Sequence, residues 1–288
     1  MKPATTLWTA ALAAAAMCAF AANSLLCRLA LGARVIDAAT FTSVRLVSGA
    51  LLLAALVFWQ QRARPWSGFD PWAVLGLFVY AIAFSFAYLQ LSAGTGALIL
   101  FGAVQITMIL FGLASGERLS AAGWVGLALA FAGLVYLLAP GFGAPPLHSA
   151  LLMALAGLAW GVYSLRGRGV ADPLRATASN FIWSVPLALL TSAAFTSVQH
   201  VTPKGVALAV ASGAIASGLG YVIWYAAVRR LSALRAAAVQ LSVPVIAAFG
   251  GILLLGEQMS ARLALASVAV LGGIAIVLRS RISASRKL

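Results

Sequence analysis

Acidic side chains are nearly missing from this chain. Asp37, Asp70, Glu117, Asp172 and Glu257 are the 5 carboxylates among 288 residues, and all fall at the ends of apolar runs or in the connections between them. No Asp or Glu therefore lies deep in a run, where a membrane proton carrier keeps its relay. Histidine and cysteine are scarcer still, 2 of each, which leaves no Cys/His cluster to hold a metal. Cys18 and Cys27 lie about 13.5 Å apart along one helix and cannot bridge each other. An intramembrane enzyme would need a nucleophile paired with a base, and the serines here have no His or acid at matching depth. Charged residues of both signs make up 8% of the chain, against roughly 25% in an ordinary soluble domain.

Apolar length is what the chain has in abundance, with 63% hydrophobic residues. Ten runs of about 20 residues, each long enough to cross a hydrocarbon core of about 30 Å, occupy 7–27, 38–60, 71–92, 95–115, 120–139, 148–166, 176–197, 204–228, 232–255 and 260–279. Stretches such as "LALASVAVLGGIAIVL" are continuously apolar rather than alternating, which excludes barrel strands. The connections are short, so no soluble domain is expected. The first run lacks a small-residue cleavage site followed by a polar region and reads as a retained helix. The fold class is therefore all-α and integral to the membrane, with ten transmembrane helices.

A net charge of +14 would suit a nucleic-acid partner, but its distribution argues otherwise. With the N-terminus inside, 14 of the 19 basic residues lie at inner ends, among them Arg62, Arg166, Arg229 and Arg279. Arg28, Arg34, Lys204 and Arg262 lie at the other side, and Arg45 lies within a span. The positive-inside rule predicts a multi-pass protein with both termini cytoplasmic, in contact with lipid and not with nucleic acid.

Sliding the chain by 140 positions aligns "GERLSA" with "GEQMSA" without a gap. Leu91, Ser92 and Ala93 fall on Leu231, Ser232 and Ala233; Glu117 falls on Glu257, Ser120 on Ser260, Gly133 on Gly273, Phe20 on Trp160 and Arg28 on Arg168. Residues 1–140 and 141–288 then form two repeats of five spans within a single membrane domain. An odd number of spans makes the second repeat enter the membrane inverted. Inverted repeats recur in secondary transporters, with the substrate site near the midplane between the halves.

The repeated Gly-Glu-x-x-Ser between fourth and fifth spans, the following glycines, and the patterns "FAANSLL" and "AWGVYSL" resemble the drug/metabolite transporter superfamily, specifically its EamA-type ten-helix transporters. The resemblance extends over essentially the whole chain. It implies that spans 1, 3, 4, 6, 8 and 9 surround a central cavity while 5 and 10 support it from outside. It also implies a bacterial inner membrane. The family's usual pair of fourth-span prolines is incomplete: Pro244 is present, and Val104 stands 140 positions before it. Pro244 is expected to kink the ninth span, leaving the fourth straighter.

Candidate substrate contacts are aromatic or polar without charge. Tyr80 and Phe84 share one face of the third span with Tyr88, and Trp224 is the repeat mate of Phe84. Trp160 and Tyr163 occupy the sixth span. Lipid-facing packing is the alternative for all of these, and Tyr88 and Tyr225 stand close enough to span ends to belong to an interfacial belt. Asn23, Gln105 and Gln240 each need a polar partner in hydrocarbon, from a neighbouring helix or from a ligand. Asn180, in a peripheral span, reads as a packing residue. Arg45 costs about 2.5–3.5 kcal/mol at the bilayer centre. It is expected to snorkel outward, with pairing to Asp37 or to a substrate carboxylate as the alternative. Glu117 and Glu257 mark matching corners at opposite doors, beside Ser120 and Ser260 as helix caps. Both glutamates read as structural, with an ion pair that opens during gating as the alternative.

These features point to an exporter of small organic metabolites, first of all amino acids with aromatic or bulky neutral side chains, similar to YddG-type exporters. The expected mechanism is alternating access without carboxylate-mediated proton coupling. The chain is expected to need no cofactor and no metal, to act as a monomer or weak homodimer, and not to be an enzyme. Sugar-phosphate or nucleotide-sugar exchange is the second transport reading, although it would want paired basic residues deep in the spans. A membrane enzyme or an assembly protein is the reading from outside that class.

Overall fold

Helix boundaries follow from local chemistry. Asp70, Ser92, Ser120, Asp172 and Thr202 each accept a hydrogen bond from a backbone N–H of the helix that follows, and Pro71, Pro173 and Pro203 occupy first-turn positions where no N–H is required. A computed structural model describes residues 3–61, 63–116, 118–167, 170–195, 200–228, 231 and 239–282. Its ten helical rods are α1 (Pro3–Gly32), α2 (Ala38–Gln61), α3 (Pro71–Ala87), α4 (Ala93–Ala114), α5 (Ala121–Leu138), α6 (Leu147–Arg166), α7 (Pro173–Ala194), α8 (Pro203–Val228), α9 (Ser242–Leu255) and α10 (Ala261–Ser280). Residues 211–219 of α8 are wound as a π-helix.

Seven of the ten are long and apolar enough to cross a membrane, and α3 and α9 are shorter apolar helices. The remaining rod, α7, carries Arg175 and a buried polar row of Thr177, Ser179, Asn180 and Ser184. Large apolar side chains face outward, Trp59, Leu253, Leu254 and Val268 among them. A surface of this kind suits lipid and would aggregate in water.

Gly116 and Gly256, the repeated glycines of the two Gly-Glu motifs, both have left-handed backbone, with φ of 90° and 66°. Any other residue would be strained there, so each glycine ends its helix at that point. Ser120 and Ser260 then cap the next helix through Gly123 N–H and Leu263 N–H, as expected.

The packing respects the repeat. Exchanging α1–α5 for α6–α10 converts the α3/α6 contact into α8/α1, α4/α6 into α9/α1, and α3/α7 into α8/α2, and all six are present. A ring runs α3, α6, α4, α9, α1, α8, with α2 touching both α8 and α3 across the last gap. Outside it, α5 and α10 pack on each other. A side chain at Gly126 would meet the Gly273 carbonyl, and one at Gly273 would meet the Gly126 carbonyl and the Ala130 backbone. Small residues are what let two membrane helices approach this closely.

Two details differ from expectation. The third span ends at Ala87, so Tyr88 caps it and turns inward, fully buried, donating from its hydroxyl to the Ala93 carbonyl, rather than sitting in a belt. A two-residue antiparallel ladder also joins Arg118–Leu119 to Arg281–Ile282. Within the described part of the ninth span, a turn at Leu241 separates residues 239–240 from Ser242–Leu255, a local break that Pro244 produces because it has no N–H for residue 240 and its ring crowds that carbonyl.

The start of α1 and the end of α10 fall, by the alternation of the rods, on the face that also carries the α2–α3, α4–α5 and α6–α7 connections, called the terminal face below. There Asp70 accepts at 2.9 Å from Arg166 Nε, tying α3 to α6. Partial burial alone would raise the Asp70 carboxyl, but the Arg166 hydrogen bond and the capping N–H groups outweigh it and hold the acid below its ordinary range.

Gly273→Leu should lower the melting temperature of the detergent-purified protein by many degrees, whereas Gly272→Ala, which meets nothing nearby, should leave it within a degree or two. Asp70→Asn keeps the cap and loses the ion pair. It should cost less than about 1 kcal/mol at pH 7, since both partners are solvent-accessible. The depressed folded-state pKa makes the pair's contribution complete above the unfolded value of about 4 and lost as pH falls through the lower folded value. Thermal melts of both proteins should therefore converge on strong acidification.

Candidate functional site

Where α8 passes α2, a side chain at Gly213 would collide with the Arg45 carbonyl and the Ser48 hydroxyl, so only glycine allows this approach. The π-helical winding of the same segment brings Ser212 and Ser217, five residues apart, toward the inside together. Ser212 Oγ donates to Asn23 Oδ1 at 2.6 Å. Asn23 Nδ2 donates to the Tyr80 hydroxyl at 3.2 Å. Arg45 Nη2 donates to that same hydroxyl at 3.0 Å, and its Nε and Nη2 reach Ser217 Oγ at 3.4 and 3.3 Å. One polar chain thus links α8, α1, α3 and α2 and returns to α8.

Arg45 does not snorkel. It is 1% exposed, and its guanidinium lies 5.1 Å from the Tyr80 ring centroid and 5.0 Å from that of Phe84. Nor does it pair with Asp37, which accepts instead from Thr40 N–H and His200 N–H at the start of α2.

Aromatic rings pack beside this chain. Trp160 lies 4.8 Å from Tyr80, 5.0 Å from Tyr221 and 5.4 Å from Tyr163, centroid to centroid. Phe20 meets Tyr221 and Trp224 edge-on at 5.9 and 6.1 Å. Phe20, Asn23, Ser24, Tyr80, Phe84, Leu100, Phe101, Trp160, Ser217 and Tyr221 enclose a space of about 20 Å³, room for about one water. The rings fill the site in this conformation.

Two cavities of about 240 Å³ each lie toward the terminal face. One is bordered by Tyr163, Thr177, Asn180 and Tyr225 together with Asp70, Arg166 and Arg175. The other shares Thr177 and Tyr225 and reaches Tyr221. Tyr163 and Tyr221, both in contact with Trp160, therefore join the central box to these spaces. At the opposite face the Glu257 carboxylate accepts from Ala93 N–H at 2.9 and 3.1 Å and from Arg28 Nε at 3.2 Å. Arg28 Nη1 also donates to the Tyr88 carbonyl at 3.4 Å. Glu257 thus caps α4 rather than α10 and draws α1, α4 and the α9–α10 connection together.

Of the residues expected at the site, Asn23, Tyr80, Phe84 and Trp160 surround the central space, Tyr163 stands at its terminal-face exit, and Trp224 backs Phe20. Gln105 is buried one turn along α4 from Phe101, which does border the box. Gln240 is half-buried just before the break at Leu241 and is not among the residues around the central space. Asn180 donates to the Tyr163 hydroxyl at 3.4 Å. Pro244 is buried in the first turn of α9. Glu117 lies outside the described residues. Tyr221 and Ser212 were not singled out as site residues. The signal for Ser212 is its five-residue spacing from Ser217 in a glycine-rich stretch, meaningful only once the helix is known to be π-wound.

Known proteins agree with this architecture. The model of the EamA-like transporter family matches twice, at residues 7–139 and 147–279. An uncharacterized protein of Pseudomonas aeruginosa is 55% identical over 93% of this chain and 93% of its own length. An uncharacterized transporter of Archaeoglobus fulgidus is 24% identical, covering 86% of this chain and 91% of its own. A probable amino-acid metabolite efflux pump of Salmonella typhimurium is 25% identical over 68% of this chain and 71% of its own. A solved crystal structure at 22% identity superimposes with a TM-score of 0.63, covering 92% of this chain and 98% of that one. With the family model matched in both halves around a pseudo-symmetric helix ring, this chain belongs to the EamA-like transporter family.

Proposed function

We propose that this transporter exports amino acids with aromatic or bulky neutral side chains across a bacterial inner membrane by alternating access. The observation that carries this reading is the box of Tyr80, Trp160, Tyr221 and Phe20 between the two repeats, flanked by a polar chain and by two cavities toward the terminal face. Aromatic rings offer flat apolar surface to a side chain, and the Asn23 and Ser217 groups beside them suit a polar backbone. The relative named a probable amino-acid metabolite efflux pump supports the same cargo class.

The positive-inside rule makes the terminal face cytoplasmic. The cavities at that face then form the approach for cargo, while the Glu257 cluster seals the outer side. Cargo entering from below parts the Trp160 stack, and the box expands around it. Release outward requires Arg28 and Ala93 to let go of Glu257 while the terminal-face cavities close. Among the described residues no acid lies in the box: Asp37, Asp70 and Asp172 are held at helix starts and Glu257 at the outer cluster. The driving force is the substrate gradient. Sugar-phosphate exchange ranks second, because the Arg45 guanidinium behind Tyr80 and Ser217 falls short of the paired basic groups a phosphate dianion calls for.

In liposomes containing the purified protein, flux of phenylalanine or leucine should exceed that of lysine or glutamate and should persist when the pH gradient is collapsed. Absence of amino-acid flux under any gradient overturns the reading. Trp160→Ala should reduce that flux about tenfold or more, consistent with loss of an aromatic contact worth roughly 0.5–1.5 kcal/mol beyond its buried area, while leaving membrane insertion unchanged.

A further inference from the structure

Resting on the reading above, we infer that Arg45 is the receptor for a carboxylate on the transported molecule, with the Tyr221 hydroxyl as its second donor. Arg45 stands among the largest fully buried side chains of the protein, and a cation in the membrane interior normally has an anion beside it. Here it has none among the described residues. Asp37 is bound to the His200 N–H, Asp70 to Arg166, Asp172 to Arg175 and Glu257 to Arg28. Its visible partners are two hydroxyls and two ring faces, which orient the guanidinium without neutralising it.

The partners also leave one end of the fork unused. Nε and Nη2 are engaged by Ser217 and Tyr80, whereas Nη1 is buried with no hydrogen-bond partner. The Tyr221 hydroxyl is likewise buried and unpartnered, and Tyr221 borders the same central space as Tyr80 and Ser217. Unmet donors of this kind are costly unless something accepts from them. A carboxylate accepts from both, neutralises the guanidinium, and leaves the attached side chain against Trp160. The arrangement exists once only. The repeat mates of Arg45, Tyr80 and Ser217 are Val185, Gly220 and Leu77, so the anion is held on the α2 and α3 side and cannot bind in the reversed orientation.

The recognised charge is therefore the carboxylate. Arg45 repels an ammonium that arrives without one, and none of the four described carboxylates attracts it to the box. Aromatic monocarboxylates lacking an amine should bind, and aromatic amines lacking a carboxylate should not.

The test is ligand-dependent thermal stabilisation of the purified full-length protein, paired with inhibition of phenylalanine flux in liposomes. The probes are phenylalanine, its carboxamide, 3-phenylpropionate, phenethylamine and phenyl phosphate. The expected result is binding of phenylalanine and 3-phenylpropionate and failure of the amide and the amine. Arg45→Gln should weaken the two acids by about 10- to 100-fold, the range of one charge-assisted contact, and erase the preference for acid over amide; Arg45→Lys should not rescue it. Tyr221→Phe, which keeps the ring, should weaken the acids by a smaller factor. An amide binding as well as the acid, a preference that survives Arg45→Gln, or phenyl phosphate outcompeting both acids would each overturn the assignment. If Arg45→Gln does not fold, the wild-type series and Tyr221→Phe still decide. The two proposals fail separately. Amino-acid flux without carboxylate dependence removes the Arg45 role and keeps the cargo. Arg45-dependent binding of 3-phenylpropionate without amino-acid flux removes the cargo and keeps the receptor.

Discussion

A guanidinium held inside the membrane by hydroxyls and aromatic faces is the constraint on which the centre of this protein depends. Arg45 can be buried there because Tyr80 and Ser217 accept from its Nε and Nη2 and two rings present their electron-rich faces to it. Those contacts in turn dictate the backbone. Ser217 reaches Arg45 because α8 lies against α2 at Gly213 and is π-wound from 211 to 219. Tyr80 is fixed from its other side by Asn23, which Ser212 anchors. Removing any one of these leaves a buried polar group without a partner, which is why the chain holds together as a unit.

Around that centre the molecule is symmetric in its scaffold and asymmetric in its chemistry. Helix contacts exchange under the repeat, and both Gly-Glu motifs end a helix with a left-handed glycine and start the next with a serine cap. The polar chain is not reproduced by the repeat, since the mates of Arg45, Tyr80 and Ser217 are Val185, Gly220 and Leu77. A duplicated frame can present similar surfaces to two sides of a membrane, while a single off-axis charge gives a bound molecule one orientation. Glu257 follows the same division. Its position is set by the repeat, but the N–H it accepts from belongs to α4 of the other half, so this contact also joins the two repeats.

Much of the fold was legible in the residues themselves. Ten apolar runs, short polar corners and the shift of 140 were enough to expect ten helices in two halves, and capping residues marked most boundaries. The exceptions have local causes. Tyr88 looked like a belt residue because it stands near a span end, yet α3 stops one residue earlier and the ring folds back under α4. Pro244 interrupts the ninth span at Leu241, in keeping with its missing N–H. Tyr80, Phe84 and Trp160 could be named as site candidates from helical periodicity and repeat position and Asn23 from its need for a polar partner, whereas Gln240, named on the same ground as Asn23, is not among the residues around the central space.

Sequence alone determined the quantities that depend on composition and local order: membrane residence, helix number, the glycine stops, the serine and aspartate caps, and the near absence of carboxylates. These follow because hydrocarbon demands internally satisfied backbone and because φ > 0 demands glycine. The tertiary structure alone decided what Arg45 does. Whether a charge eight residues into a helix reaches out to headgroups or inward depends on which helices stand beside it. That was settled by a glycine contact with a segment about 170 residues away and by a local change of helical winding, neither of which any single stretch of residues encodes.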